Sequence, residues 1–95
     1  MELSILDFTA AWCGPCRQLK PVLEALSREY KISLAEVDTD RDPAMAQQFN
    51  VRSVPTVVLL RDGREVGRFV GARPRAFVAG MLDRALAGDT AIASP

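Results

Sequence analysis

Hydrophobic and polar positions along the chain follow two periods. Residues 3–8, Leu-Ser-Ile-Leu-Asp-Phe, form a nearly continuous apolar run, the pattern of a strand covered on both faces. From about Cys13 to Tyr30 the period becomes helical, with Leu19, Val22, Leu23, Leu26 and Tyr30 on one stripe. Pro21 falls inside that pattern. It lacks a backbone N–H and crowds the carbonyl four residues earlier, which predicts a kink. Residues 32–38 read as a second strand. Asp42-Pro43 marks a helix start, with proline at the first helical position, and this short helix runs to about Phe49. After Val54-Pro55 comes a β-branched run, Thr56-Val57-Val58-Leu59-Leu60, then the Asp62-Gly63 signal of a hairpin. Residues 65–70 return as a fourth strand, ended by Gly71. A last helix spans 74–87, with Phe77, Val78, Met81, Leu82 and Leu86 as its expected buried face.

The element order is therefore β-α-β-α-β-β-α. Its first βαβ unit is expected to be right-handed with parallel strands, and its hairpin antiparallel. No repeats, low-complexity tracts or linkers interrupt residues 1–87, so a single domain is expected. Residues 88–95 are expected to be a disordered tail.

Composition narrows the function classes. Twelve basic and twelve acidic side chains cancel, without blocks of like charge, so there is no electrostatic footprint for nucleic acid or an anionic membrane. Residues 1–8 lack the basic and apolar regions of a signal peptide, and no segment is long enough to span a bilayer. A cytoplasmic location is the expectation. Histidine is absent. That excludes Ser-His and Cys-His catalytic pairs and the common Cys/His zinc sites.

The chemistry then rests on Trp12-Cys13-Gly14-Pro15-Cys16, which holds the only two cysteines of the chain. Two cysteines cannot staple a small secreted domain, which usually carries several bridges. Spaced three apart at a helix start, they can alternate between dithiol and disulfide, with one sulfur exposed to a partner. An inert core pair is the bland alternative.

Asp7-Phe8, Trp12-Cys13-Gly14-Pro15-Cys16-Arg17, Pro21, Asp38-x-Asp40, Val54-Pro55-Thr56, Asp62-Gly63 and Val70-Gly71-Ala72 occur in one order. In that order the chain resembles the thioredoxin family over residues 3–87. The resemblance implies an α/β fold of the minimal thioredoxin type, a four-stranded mixed sheet with helices on both faces. The family's usual first strand and helix have no counterpart here, which leaves strand 32–38 at an edge. Unpaired edges invite association. A monomer is expected, with an edge-strand homodimer as the alternative. Thr9 stands where many bacterial members carry an aromatic residue.

Site roles follow from the resemblance. Cys13, at the helix N-terminus where unpaired N–H groups and the dipole favour negative charge, is the expected attacking thiol. Cys16, one turn deeper and less exposed, is the expected resolving thiol. A carboxylate within an apolar strand is costly to bury, and the family's matching aspartate helps move the second cysteine's proton. Asp7 is thus the expected general base, against the alternative of a merely hydrogen-bonded or edge-exposed aspartate. Glu36 either lies close enough to Asp7 to raise its pKa or points to solvent. Val54-Pro55 is expected to be the family's cis-proline turn, rather than an ordinary trans proline opening an edge strand. Trp12, Gly14, Pro15, Val54, Pro55, Gly71 and Ala72 are expected to form a flat, uncharged apolar patch that binds substrate.

The expected function is protein-disulfide reduction by dithiol–disulfide exchange. Oxidising relatives often carry histidine between the cysteines; here Gly14-Pro15 stands there. Partners would be disulfide-containing proteins and a thioredoxin reductase supplying electrons from NADPH, with no cofactor or metal bound to this chain, which lacks a dinucleotide fingerprint. Two alternatives stand beside this. One is a binding or scaffold subunit with incidental cysteines. The other is a glutathione-dependent, glutaredoxin-like reductase, which needs a basic groove that Arg17 and Arg52 only weakly suggest, and which the Trp-Cys-Gly-Pro-Cys motif disfavours.

Overall fold

The computed structural model of the chain describes residues 2–88. The elements are β1 (Leu3–Thr9), α1 (Gly14–Tyr30), β2 (Ser33–Asp38), α2 (Pro43–Gln48), β3 (Thr56–Arg61), β4 (Arg64–Val70) and α3 (Arg75–Leu86). The sheet order is β2-β1-β3-β4. β1 and β2 are parallel, while β3 runs antiparallel to both β1 and β4. The mixed α/β architecture expected from the sequence is the one observed.

The pleat of β1 sorts its side chains onto two cores. Leu3 and Ile5 join Leu19, Leu23 and Leu26 of α1, Val57 and Leu59 of β3, Phe69 of β4 and Val78, Met81 and Leu82 of α3. Leu6 and Phe8 face the other way, against Val58 and Ala46 of α2. Phe8 and Phe49 close that second layer with ring centroids 5.6 Å apart. β1 is thus covered on both faces, which is why it reads as an apolar run. Each fully buried leucine of α1 contributes roughly 1.5–3 kcal/mol through its burial.

The local stops are chemically specified. Cys13 and Asp42 are the N-caps of α1 and α2; the Asp42 carboxylate accepts from the Met45 N–H at 3.1 Å, and Pro43 opens α2. Pro21 lies within α1, so the Arg17 carbonyl receives no N–H from it. Lys31 ends α1 in the left-handed region. In the hairpin Asp62 (φ 51°) and Gly63 (φ 82°) are both left-handed, as a two-residue primed turn demands.

Two features depart from the sequence reading. Leu59 pairs with Gly67 and Leu60 with Glu65, leaving Val66 as an extra residue in β4. Such a bulge follows from pairing, not from side-chain pattern. On α3 the buried face is Val78, Met81, Leu82 and Ala85, while Leu86 is exposed and Phe77 half-buried. The expected burial of Leu86 is therefore corrected. Positions 78, 81, 82 and 85 form the i, i+3, i+4, i+7 stripe, and the small Ala85 takes the place against the sheet. The tail expected at 88–95 lies, but for Gly88, outside the described residues.

Candidate functional site

The topology gathers four loops at one end of the sheet. β1 ends at Thr9, beside Asp38, the last residue of parallel β2. Phe8 pairs with Thr56, the first residue of β3, and Thr56 pairs with Val70, the last of β4. The segments following β1, following β2, preceding β3 and following β4 must then meet. Backbone bonds fasten them: Thr39 N–H donates to the Thr9 carbonyl (2.9 Å), and Gly71 N–H to that of Pro55 (2.8 Å).

Cys13 and Cys16 are joined as a disulfide, with Cα atoms 5.3 Å apart. Cys13 N–H donates to the Ala10 carbonyl at 3.1 Å, which holds the turn into α1. The Cys13 Sγ accepts the Cys16 backbone N–H at 3.2 Å. A sulfur so placed sits where helix N–H groups stabilise negative charge. The expected difference in exposure is not seen in this disulfide form. Both cysteines are 3% exposed, packed with Ala10 and Val54. Both lie in one small cluster, so burial does not distinguish them.

Asp7 projects from the same face of β1 as Leu3 and Ile5, toward α1. It is 2% exposed, and its Oδ1 is buried with no hydrogen-bond partner. Desolvation pushes its carboxyl up to about 6; the Glu36 carboxylate adds to the rise, and the Lys20 ammonium opposes it. Register explains Glu36, which lies opposite Asp7 on parallel β2 and hence on the same face. Glu36 also reaches solvent, where it meets Lys20 Nζ at 3.5 Å. The two readings of Glu36 thus coexist. Lys20, Glu36, Cys16, Thr9 and Asp38 wall a cleft of about 200 Å³, which brings the two charges acting on Asp7 together with the second cysteine.

Val54-Pro55 is cis. Val54 is half-buried against the cysteines, whereas Pro55 is buried. Among the described residues no intramolecular hydrogen bond engages the Val54 backbone. Trp12 is 69% exposed, and Pro15 and Ala72 are exposed, with Gly14 and Gly71 half-buried. Gly71 has φ 87° and open space where a side chain would stand. Trp12 and Val54 line one cleft and Gly71 bonds to Pro55, so these members of the expected patch lie together, with Pro55 buried and not part of its surface. Its rim is not uncharged. Trp12 Nε1 donates to Asp40 Oδ2 at 2.9 Å, and Arg52 lies beside Val54 in a cleft bounded by Trp12. Lys20 and the Trp12–Asp40 bond were not singled out from sequence. Lys20 was detectable one turn after Cys16; the pairing with Asp40, 28 residues away, follows only from the loop after β2 returning to the β1 end.

A thioredoxin-type sheet with a Cys-x-x-Cys disulfide capping its first helix, a buried carboxylate in the central strand and a cis-proline turn defines a thiol–disulfide oxidoreductase. The thioredoxin family model matches residues 1–84. Thioredoxin 1 of Synechococcus elongatus is 39% identical over 84 residues, covering 86% of this chain and 78% of its own. The thioredoxin of Chlamydia trachomatis is 47% identical over 74 residues, covering 77% and 72%. A mutant thioredoxin from Halobacterium salinarum superimposes with TM-score 0.83 at 37% identity, over 88% of this chain and 74% of the other. The chain belongs to the thioredoxin family. Its activity is thioredoxin-type protein-disulfide reduction through the Cys13–Cys16 pair. Among the described residues no cluster of side chains fit to hold a metal ion occurs, and no helix is long and apolar enough to cross a membrane.

Proposed function

We propose that Cys13 attacks, Cys16 resolves and Asp7 carries the resolving proton. The observation that carries this reading is the capping geometry: Cys13 Sγ accepts a helix N–H, while Cys16 lies one turn further into the helix. In the reduced protein the Cys13 thiolate attacks one sulfur of a substrate disulfide. That S–S bond breaks, the other substrate sulfur leaves as a thiolate, and a mixed disulfide forms. Cys16 gives its proton to Asp7, directly or through water in the adjoining cleft, and its Sγ attacks Cys13 Sγ. The second substrate thiolate leaves. The substrate has gained two electrons and, from Asp7 and solvent, two protons; the protein holds the disulfide seen here.

The unpaired Val54 backbone offers an extended substrate a short strand addition. Trp12, Gly14, Pro15, Gly71 and Ala72 surround it as contact surface. The electron source in this reading is NADPH through a thioredoxin reductase, the working form is a monomer, and the compartment is the cytoplasm. Replacing Cys16 by serine while keeping Cys13 tests the division of labour. Incubated with a disulfide protein, Cys16→Ser should accumulate a covalent adduct through Cys13, visible by intact-mass analysis and released by dithiothreitol. An adduct formed instead by Cys13→Ser through Cys16 would reverse the assignment.

A further inference from the structure

Trp12, Thr39, Val51, Arg52, Ser53 and Val54 line a cleft of about 160 Å³ directly beside the cysteine pair. Its walls are apolar apart from small hydroxyls and one charged side chain, Arg52. Four other arginines are engaged: Arg68 with Glu65, Arg75 with Glu29, Arg61 with the Ala85 carbonyl and Arg17 with the Ala11 carbonyl. Arg52 has only a long contact from Nε to Asn50 Oδ1, at 3.5 Å. Among the described residues no carboxylate pairs with it. Asp40, the acid held by Trp12, does not line the cleft.

Resting on the reductase reading above, we propose that this cleft receives the side chain flanking the substrate cysteine and selects an acidic one. The cleft begins at Val54, where a substrate strand would pair, so the neighbour of the reacting cysteine is the side chain within reach. A glutamate fits both halves of its chemistry. Its methylenes lie on the Trp12 indole and the two valines, and its carboxylate meets a guanidinium that is always charged. The occupant is thus a segment of a disulfide-containing protein carrying Glu or Asp next to the cysteine that Cys13 attacks. The pair is solvent-accessible, so its effect is modest and screened by salt.

The test is a set of disulfide peptides alike except for Glu, Gln or Lys at each position from two before to two after the cysteine. Glu over Gln should favour kcat/KM by about three- to tenfold, mostly through KM, on one side of the cysteine only, with Lys worst. The ratio should shrink toward one in 0.5 M salt, collapse in Arg52→Gln and persist in Arg52→Lys. Equal rates for Glu and Gln peptides in the unaltered protein, or a preference that survives Arg52→Gln, would overturn the inference. The salt series needs no variant, so a folding defect in Arg52→Gln cannot hide the answer. Reduction of the Gln peptide reports on the reductase reading separately: if that peptide is not reduced, it is the reading that fails, not the preference.

Discussion

At the scale of single residues the site is a problem in where charge can stand. Asp7 is held at about 6 chiefly by burial, so it is ionised, and able to accept a proton, only above that pH. Resolution of a mixed disulfide should therefore slow as pH falls below about 6, and Asp7→Asn should remove that inflection in single-turnover kinetics. The same burial costs stability. Between about pH 4 and 6 the folded carboxyl keeps a proton that the unfolded one has released, so stability falls as pH rises through that window and levels off above it. Asp7→Asn should stabilise the protein at pH 7 by up to about 3 kcal/mol. The gain should fade toward pH 4 in denaturant titrations; equal gains at both pH values would contradict the linkage. Glu36→Gln should lower the Asp7 pKa and Lys20→Met raise it, read from the Asp7 carboxyl carbon by NMR. An Asp7 titration unchanged in Glu36→Gln would remove the coupling.

At the scale of elements, period and punctuation did most of the specifying. The two-faced burial of β1, the caps of α1 and α2 and the Asp62-Gly63 turn were all legible, because each depends on neighbours in sequence. The apolar pattern runs on to Leu86, but a helix pattern alone does not say where its stripe ends; Ala85 is buried and Leu86 exposed. Substitution tests this directly. Leu86→Lys should change stability by less than about 0.5 kcal/mol, whereas Ala85→Lys should cost several kcal/mol by placing an ammonium in the apolar layer. On α1, Leu23→Ala should cost about 2–5 kcal/mol, as fully buried leucines do. The bulge at Val66 was not legible, since it arises from the register between β3 and β4. The salt bridge from Arg75 to Glu29 and the bond from Tyr30 to Asp83 link α1 to α3, but their exposure makes them minor contributors.

At the scale of the whole molecule, function follows from strand order. Strand ends bring Cys13, Val54 and Gly71 together although they are far apart in the chain. The motifs were readable singly, and the resemblance they formed supplied their juxtaposition. What could not be read was the rim: the Trp12–Asp40 bond and the Arg52 cleft join loops that no local pattern connects. Among the described residues β2 occupies a sheet edge, and it carries Glu36 and Asp38, charges that discourage edge pairing between copies. Sedimentation should give a monomer of 10.4 kDa at all concentrations; a mass rising to twice that value would establish the dimer.

The central claim is that Cys13 and Cys16 together reduce protein disulfides. Its most direct test is reduction of insulin disulfides with NADPH and a thioredoxin reductase, or with glutathione, as donor. The account predicts steady turnover with the thioredoxin reductase and none when Cys13 is replaced by serine. No turnover by the unaltered protein with either donor, or equal turnover after Cys13 and Cys16 are both replaced by serine, would contradict it.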